Sequence, residues 1–421
     1  MRVAFVAQPF DLLQPPVQSG SLAIWIHQVA RVCAQRGHDA IVFANHGSAF
    51  KAGVAQSENV RYIYTPTGLN RLQNRLASFR NGHLALPYFA SPWQDRRYAQ
   101  EVGRRSRRLE CEVVHIMNYS QFVPVIRALN PGCKICLHMQ CEWLTQIDPA
   151  VIAPRLEAAD LIIGCSEYIT RTVAEGYPRL AKRCVTVPNA AEVVEDGVAT
   201  PEPFHVLFVG RVSPEKGVHD LILAFHDVLK RFPDARLHIV GGAGSAPLEY
   251  LVGLSKEPQV MALRRFYEGG NAGGKGPYLI QLEQYAGQEL GKRILFEGRV
   301  DHSRTQAFYH RAAVLVNPSL SESFGMSLVE AMMHRVPVVA TRVGGMPYIV
   351  NHGQTGFLAE PANPKELARA ICEILEDREM ARRMGEAGRK RAVEKFSWQK
   401  STELLLGHFH RLLQSGGGPC S

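Results

Sequence analysis

The sequence contains no apolar run near the roughly 18 residues that a membrane-spanning helix requires. Its start, Met1-Arg2-Val3-Ala4-Phe5-Val6-Ala7, meets Pro9 and Asp11 too early for a signal peptide and reads as a first strand. No low-complexity tract is long enough to suggest disorder, and no Asp-x-Asp triplet stands at the end of an apolar run. The single C-x-x-C, Cys133 to Cys136, lacks the second ligand pair that a zinc site wants. Nine cysteines, an odd number scattered through 421 residues, read as reduced thiols. No metal site is expected, and the cytoplasm is the expected location.

Three familiar motifs are approached and missed. Gly242-Ala243-Gly244-Ser245-Ala246-Pro247 puts proline where a dinucleotide fingerprint needs its third glycine. The stretch Gly269 to Lys275 resembles a P-loop, but Gly276 replaces the required Ser/Thr and no apolar strand feeds it. Gly164-Cys165-Ser166-Glu167-Tyr168 lacks the last glycine of a hydrolase elbow. Dehydrogenase, P-loop and serine-hydrolase chemistry are set aside on these grounds.

What is present is an ordinary globular composition, 46% hydrophobic and 21% charged, with net charge +9. That charge favours anionic ligands without choosing among them. The length exceeds one usual core, so two domains are expected. Short β-branched runs alternate with longer amphipathic stretches, the pattern of βα units on a parallel sheet. Strands are predicted at 2–7, 39–44, 60–64, 113–116, 134–138, 160–164 and 184–187, with a helix at 21–36. After turn formers at 195–203 the rhythm restarts, with strands at 204–209, 236–240, 293–296, 314–317 and 336–340. Helices are predicted at about 215–232, 301–311, 324–334 and 363–377. The expected organisation is an N-terminal domain over 1–196, a linker at 197–203, a second domain over 204–397 and a flexible tail at 414–421. A helix at about 398–413 is expected to pack back on the first domain. The segment 246–290, too long for a simple connection, is expected to be a functional or mobile loop. In paired doubly wound domains ligands meet the loops after the strands, at the cleft.

The stretch Asn317-Pro318-Ser319-Leu320-Ser321-Glu322-Ser323-Phe324-Gly325-Met326-Ser327-Leu328-Val329-Glu330 runs strand, turn, helix. Gly325 allows close backbone approach, and a helix start offers unpaired N–H groups to an anion. Glu322 and Glu330 flank it eight positions apart, as Glu-x7-Glu. Either glutamate alone would be a solvated residue on a capped helix. Together, around Ser-Phe-Gly, they resemble the family-four retaining glycosyltransferases of the GT-B fold, and the resemblance spans nearly the whole chain.

That resemblance implies two Rossmann-like doubly wound domains facing across a cleft, and a nucleotide-sugar donor with a hydroxyl-bearing acceptor as partners. Nucleic acid is not implied, and no cofactor is needed beyond the co-substrate. It implies that Glu322 contacts the donor sugar and Glu330 the ribose. Ser323, Phe324, Gly325, Met326, Ser327 and Leu328 would line the sugar and phosphates. Arg211 and Lys216, in Gly210-Arg211-Val212-Ser213-Pro214-Glu215-Lys216-Gly217, match the pair that meets the diphosphate. Arg299 and Val300 match the stretch beside the base, and 341–345 a turn near the donor. Gly20, in Ser19-Gly20-Ser21, matches a loop that approaches the phosphates, although the family often carries two glycines there. His138 matches a histidine at the reaction centre, with His115 as the rival. UDP-sugar is favoured over GDP-sugar. No carboxylate nucleophile is identifiable, which leaves front-face substitution as the expected retaining mechanism. A nucleotide-sugar epimerase, a phosphorylase and a non-catalytic nucleotide-sugar binder are the alternatives.

Six arginines, 96, 97, 104, 105, 107 and 108, crowd thirteen residues against Glu101 alone. A solvated helix is one reading. Peripheral membrane contact is the other, since related enzymes often glycosylate lipids.

Overall fold

A computed structural model of the chain describes all residues except 12, 16, 18–19, 46–52, 66–89, 196–200, 245–246, 269–274 and 416–421. Ser19, most of the expected linker, the glycine cluster at 269–274 and nearly all of the expected tail lie outside the described residues. The chain divides into two compact units, Met1–Asn189 with Trp398–Ser421, and Ala190–Ser397.

Among its described residues the first unit carries eight strands: β1 (Arg2–Val6), β2 (Asp39–Ala44), β3 (Gly53–Ser57), β4 (Val60–Tyr64), β5 (Val113–Met117), β6 (Lys134–Met139), β7 (Leu161–Gly164) and β8 (Cys184–Thr186). Their order is β3-β4-β2-β1-β5-β6-β7-β8, parallel throughout except that β3 runs antiparallel to β4. Central strands such as β5 are buried along their whole length, which is why they read as continuous apolar runs. β3 was not predicted. It is an edge strand, exposed over Gly53–Gln56, so no buried alternation marks it in the sequence.

The helix Trp398–Gln414 packs on the helix Ser21–Gln35, and Ser401 Oγ donates to the Pro188 carbonyl (2.7 Å). The boundary between units falls after Asn189, ahead of the expected linker. Residues 190–194 are tied to the second unit instead: Ala191 N–H donates to Phe396 C=O (2.9 Å), and Arg389 to Val194 C=O (2.7 Å).

The arginine-rich stretch forms the helix Arg96–Arg108. Tyr98, Ala99, Val102 and Ser106 bury one face, at helical spacing, while Arg97, Arg104, Arg107 and Arg108 are exposed. Arg105 pairs with Glu101 at 2.5 Å. No helix among the described residues is long and apolar enough to cross a membrane.

Among its described residues the second unit has six parallel strands: β9 (His205–Val209), β10 (Arg236–Val240), β11 (Ile294–Gly298), β12 (Val314–Asn317), β13 (Val338–Thr341) and β14 (Gly356–Ala359), ordered β11-β10-β9-β12-β13-β14. β14, a four-residue edge strand among turn formers, was also not predicted. The helix Val218–Arg231 buries Leu221, Ile222, Phe225 and Val228 against the helix Pro364–Glu376. Burial of each such side chain contributes roughly 1.5–3 kcal/mol. The segment 246–290 differs from the expected loop. Its described part is largely helical, and Tyr278, Leu282 and Ala286 (one side of the helix Pro277–Ala286) join this core. Tyr278 also bonds His219 Nδ1 at 2.9 Å.

Candidate functional site

Because all six strands of the second unit run parallel, the loops that follow them gather at one edge of the sheet. The loop after β9 turns through the 3₁₀ segment Pro214–Lys216 into Gly217, whose φ is 66°. A Cβ on Gly217 would lie 2.0 Å from the Pro318 carbonyl oxygen. A Cβ on Gly344, after β13, would lie 1.7 Å from that of Glu322, to which Gly345 N–H donates (3.1 Å). Leu320 N–H donates to the Glu215 carbonyl at 2.8 Å. The loop after β12 is therefore clamped between two backbone surfaces that only glycine permits.

This clamp brings together residues far apart in sequence. Lys216 Nζ meets Glu322 Oε2 at 2.7 Å, with the side chains 22% and 15% exposed. Arg211 donates to Glu215 Oε1 at 2.8 Å, and Ser213 Oγ to the same oxygen at 2.6 Å. Burial alone would raise the Glu215 carboxyl, but Arg211, Lys216 and the Ser213 hydrogen bond hold it below its ordinary value. A buried carboxylate thus orients the base of an exposed Arg211, whose charge remains available to an outside anion.

The helix Met326–Met333 starts at Gly325 (φ 114°) with no side-chain cap. Ser323, Met326 and Ser327 are half-buried. Phe324 and Leu328 are core residues, Phe324 packing edge-on to Phe396, so they hold the loop from below. Glu330 Oε2 accepts from the hydroxyl of buried Tyr309 at 2.6 Å. Burial, then the Glu330 carboxylate, push that phenol well above its ordinary range, so it stays a donor. Gly241 N–H donates to Gly298 C=O (2.9 Å), joining the loops after β10 and β11. Arg299 is exposed there and Val300 half-buried.

The other two expected site residues belong to the first unit. Gly20 (φ 83°) opens the helix Ser21–Gln35. That helix carries Trp25, which packs edge-on to His138 and face-on to His115. His138 is fully buried, not an open strand-end group. Its Nδ1 lies 3.1 Å from His115 Nε2, and its Nε2 3.2 Å from Gln140 Nε2. Asn189 Nδ2 donates to Gln140 Oε1 (2.6 Å), so the Gln140 amide donates to His138 Nε2. The His138 proton then sits on Nδ1 and is donated to His115 Nε2. Burial lowers both imidazoles, His115 to about 3 and His138 well below its ordinary value, with the other ring adding to the second effect. Both are neutral. The polar group this chain of bonds presents at the strand end is Gln140, half-buried and in line with His138 by the two-residue strand period.

Glu215, Tyr309 and Gln140 are the site residues that the sequence did not single out. Strand alternation from His138 points to Gln140. No local signal marks Tyr309, which lies 21 residues before its partner.

Residues 22–194 match the family described as Glycosyltransferase Family 4, and residues 191–391 the one described as Glycosyl transferases group 1. The chain is 33% identical over 437 residues to D-inositol 3-phosphate glycosyltransferase of Corynebacterium glutamicum, covering 96% of this chain and 95% of that one. Among solved structures, sucrose-phosphate synthase of Thermosynechococcus elongatus superposes with TM-score 0.70 at 24% identity, over 99% of this chain and 100% of the other. Anabaena HepE in complex with UDP-glucose superposes with TM-score 0.64 at 18% identity, over 98% and 100%. The fold is GT-B, with two parallel-sheet α/β domains. With clamped strand-end loops and matches along nearly its whole length, the chain belongs to the family-four, group 1 glycosyltransferases and is a glycosyltransferase.

Proposed function

We propose that the enzyme transfers a hexose from a UDP-sugar to an acceptor hydroxyl with retention of configuration and without a divalent metal, in the cytoplasm. The observation that carries this reading is the contact between Lys216 and Glu322 across 106 positions, with Arg211 beside it on the same strand-end loop. Two cations clustered in this way can neutralise a diphosphate, and a neighbouring carboxylate can accept from sugar hydroxyls, which supports the reading. HepE, a structural relative, is solved with UDP-glucose, which favours uridine as the base.

In this reading Arg211 and Lys216 bind the diphosphate and stabilise the charge that grows on it as the anomeric C–O bond breaks. Glu322 accepts hydrogen bonds from the sugar, and Glu330, held by Tyr309, from the ribose. The acceptor oxygen attacks from the face the nucleotide leaves, and its proton passes to the departing phosphate oxygen. The products are UDP and the retained glycoside. Within the first unit the neutral His115–His138 pair fixes the Gln140 amide. Incubation with UDP- and GDP-hexoses, scoring released nucleotide and the anomeric configuration of the product by NMR, tests this. UDP release with a retained anomer is expected. An inverted product, or release from GDP-hexoses alone, would overturn the corresponding part.

A further inference from the structure

The second unit holds a cavity of about 610 Å³ that the nucleotide-sugar reading does not use. Its lining residues stand before strands, not after them: Phe204 precedes β9, Ala313 precedes β12, and Val336 and Pro337 precede β13. The cavity therefore lies at the sheet edge opposite the Arg211, Lys216 and Glu322 loops. The helix Met326–Met333 connects the two edges. Gly325 opens it at the nucleotide side, and its C-cap, His334, lines the cavity about 12 Å away.

The chemistry of the wall is two-sided. Phe204, Ala313, Val336 and Leu375 supply an apolar floor. Arginines stand along the margin where the helix Arg378–Phe396 begins. Most of the charges there are already satisfied: Arg335 pairs with Glu386 (3.2 Å), and Glu202 with Arg311 (2.6 Å). Arg382 pairs with Glu379 at 2.8 Å. Arg378 is exposed and forms no ion pair among the described residues, which leaves one uncompensated positive charge at the rim. His334, only 6% exposed, also contributes to the wall. The volume lies inside the roughly 300–1,000 Å³ typical of small-molecule sites, and an apolar body with a few polar groups is their usual wall.

We propose that this cavity is a second binding site, separate from that of the nucleotide sugar, for a single-chain monoanionic amphiphile: an aliphatic tail on the Phe204–Leu375 floor and a carboxylate at Arg378. One excess cation matches one negative charge. A dianionic phosphate monoester would leave a charge unmatched beside Glu202 and Glu386, and a neutral chain would leave Arg378 unused.

Titration calorimetry of the full chain with hexanoate, octanoate and decanoate, and with octanol as the neutral control, tests this. Saturable one-to-one binding is expected, tightening about four-fold per added methylene and favouring octanoate over octanol. Ala381→Trp, on a half-exposed helix position lining the cavity, is expected to weaken octanoate at least ten-fold. Arg378→Ala, at the surface, is expected to erase the preference over octanol while chain-length dependence persists. Thermal melts of both variants confirm that they are folded. Saturating UDP is expected to leave octanoate binding in place. No saturable binding, binding untouched by Ala381→Trp, or displacement by UDP would each overturn the proposal. So would concentration-dependent self-association that Ala381→Trp abolishes, because a second copy of the chain would then be the occupant.

Discussion

Replacing Lys216 by alanine removes one cation from the proposed diphosphate site and also strips Glu322 of its 2.7 Å partner. A hydrogen bond to a charged group is worth roughly 1.5–3 kcal/mol, so kcat/KM should fall about 10- to 150-fold. The loss should lie at the upper end, because the Glu322 carboxylate left behind faces the incoming phosphates without neutralisation. Arg211→Ala should lose a comparable amount by a different route. It frees the buried Glu215, whose depressed protonation depends on Arg211 and Lys216. The fold should survive Lys216→Ala. The Lys216–Glu322 pair is partly solvated, and such pairs contribute about 1 kcal/mol or less, which for a domain of this size shifts Tm by about 2–4 °C. The assay is nucleotide release at sub-saturating donor, with UDP affinity by calorimetry and Tm by circular dichroism. If both variants keep near wild-type kcat/KM while folded, neither cation meets the diphosphate and the argument fails. The double variant Lys216→Ala/Glu322→Ala separates the two contributions. A partial recovery of UDP affinity over Lys216→Ala is expected, and a further loss would show that Glu322 does not repel the phosphates.

Activity should persist in excess chelator, since Arg211 and Lys216 are assigned the charge that a metal would otherwise carry. Abolition by chelator with recovery in magnesium or manganese would refute that. Tyr309→Phe deletes the 2.6 Å hydrogen bond to Glu330 and should weaken UDP several-fold with a smaller effect on kcat; unchanged affinity would remove Glu330 from the ribose site. Stability should fall on acidification earlier than carboxylate titration alone predicts. Burial depresses His115, His205 and His219 to about 3 and His334 to about 4. Each contributes stability that is present above the unfolded value near 6.5 and lost as pH falls towards the folded one. Asp11, raised by burial to about 7, and Asp220, raised to about 6, act in the opposite sense between about pH 4 and 7. Four histidines outweigh two carboxyls, so urea midpoints should be lower at pH 5 than at pH 7.5, and the reverse order would refute this balance.

The parallel strands and the Glu322-to-Glu330 loop were legible in the chain itself because their causes are local. A strand buried on both faces is a continuous apolar run, as in β5 and β12, and a strand–turn–helix whose turn enters positive φ needs glycine there, as at Gly325 (φ 114°). Edge strands β3 and β14 escaped because one is exposed and the other is four residues long among turn formers, so neither imprints a period. Tertiary structure alone decided what each charged or polar side chain meets. Lys216 finds Glu322 only because Gly217 and Gly344 admit the Pro318 and Glu322 carbonyls, and Glu330 finds Tyr309 only through the packing of two helices. His138 shows the limit most clearly. Sequence position put a histidine near the end of a strand, but which face of β6 lies beneath Trp25 depends on how the helix Ser21–Gln35 packs. That packing buries the imidazole, locks its proton on Nδ1 and leaves Gln140 as the group the strand end presents.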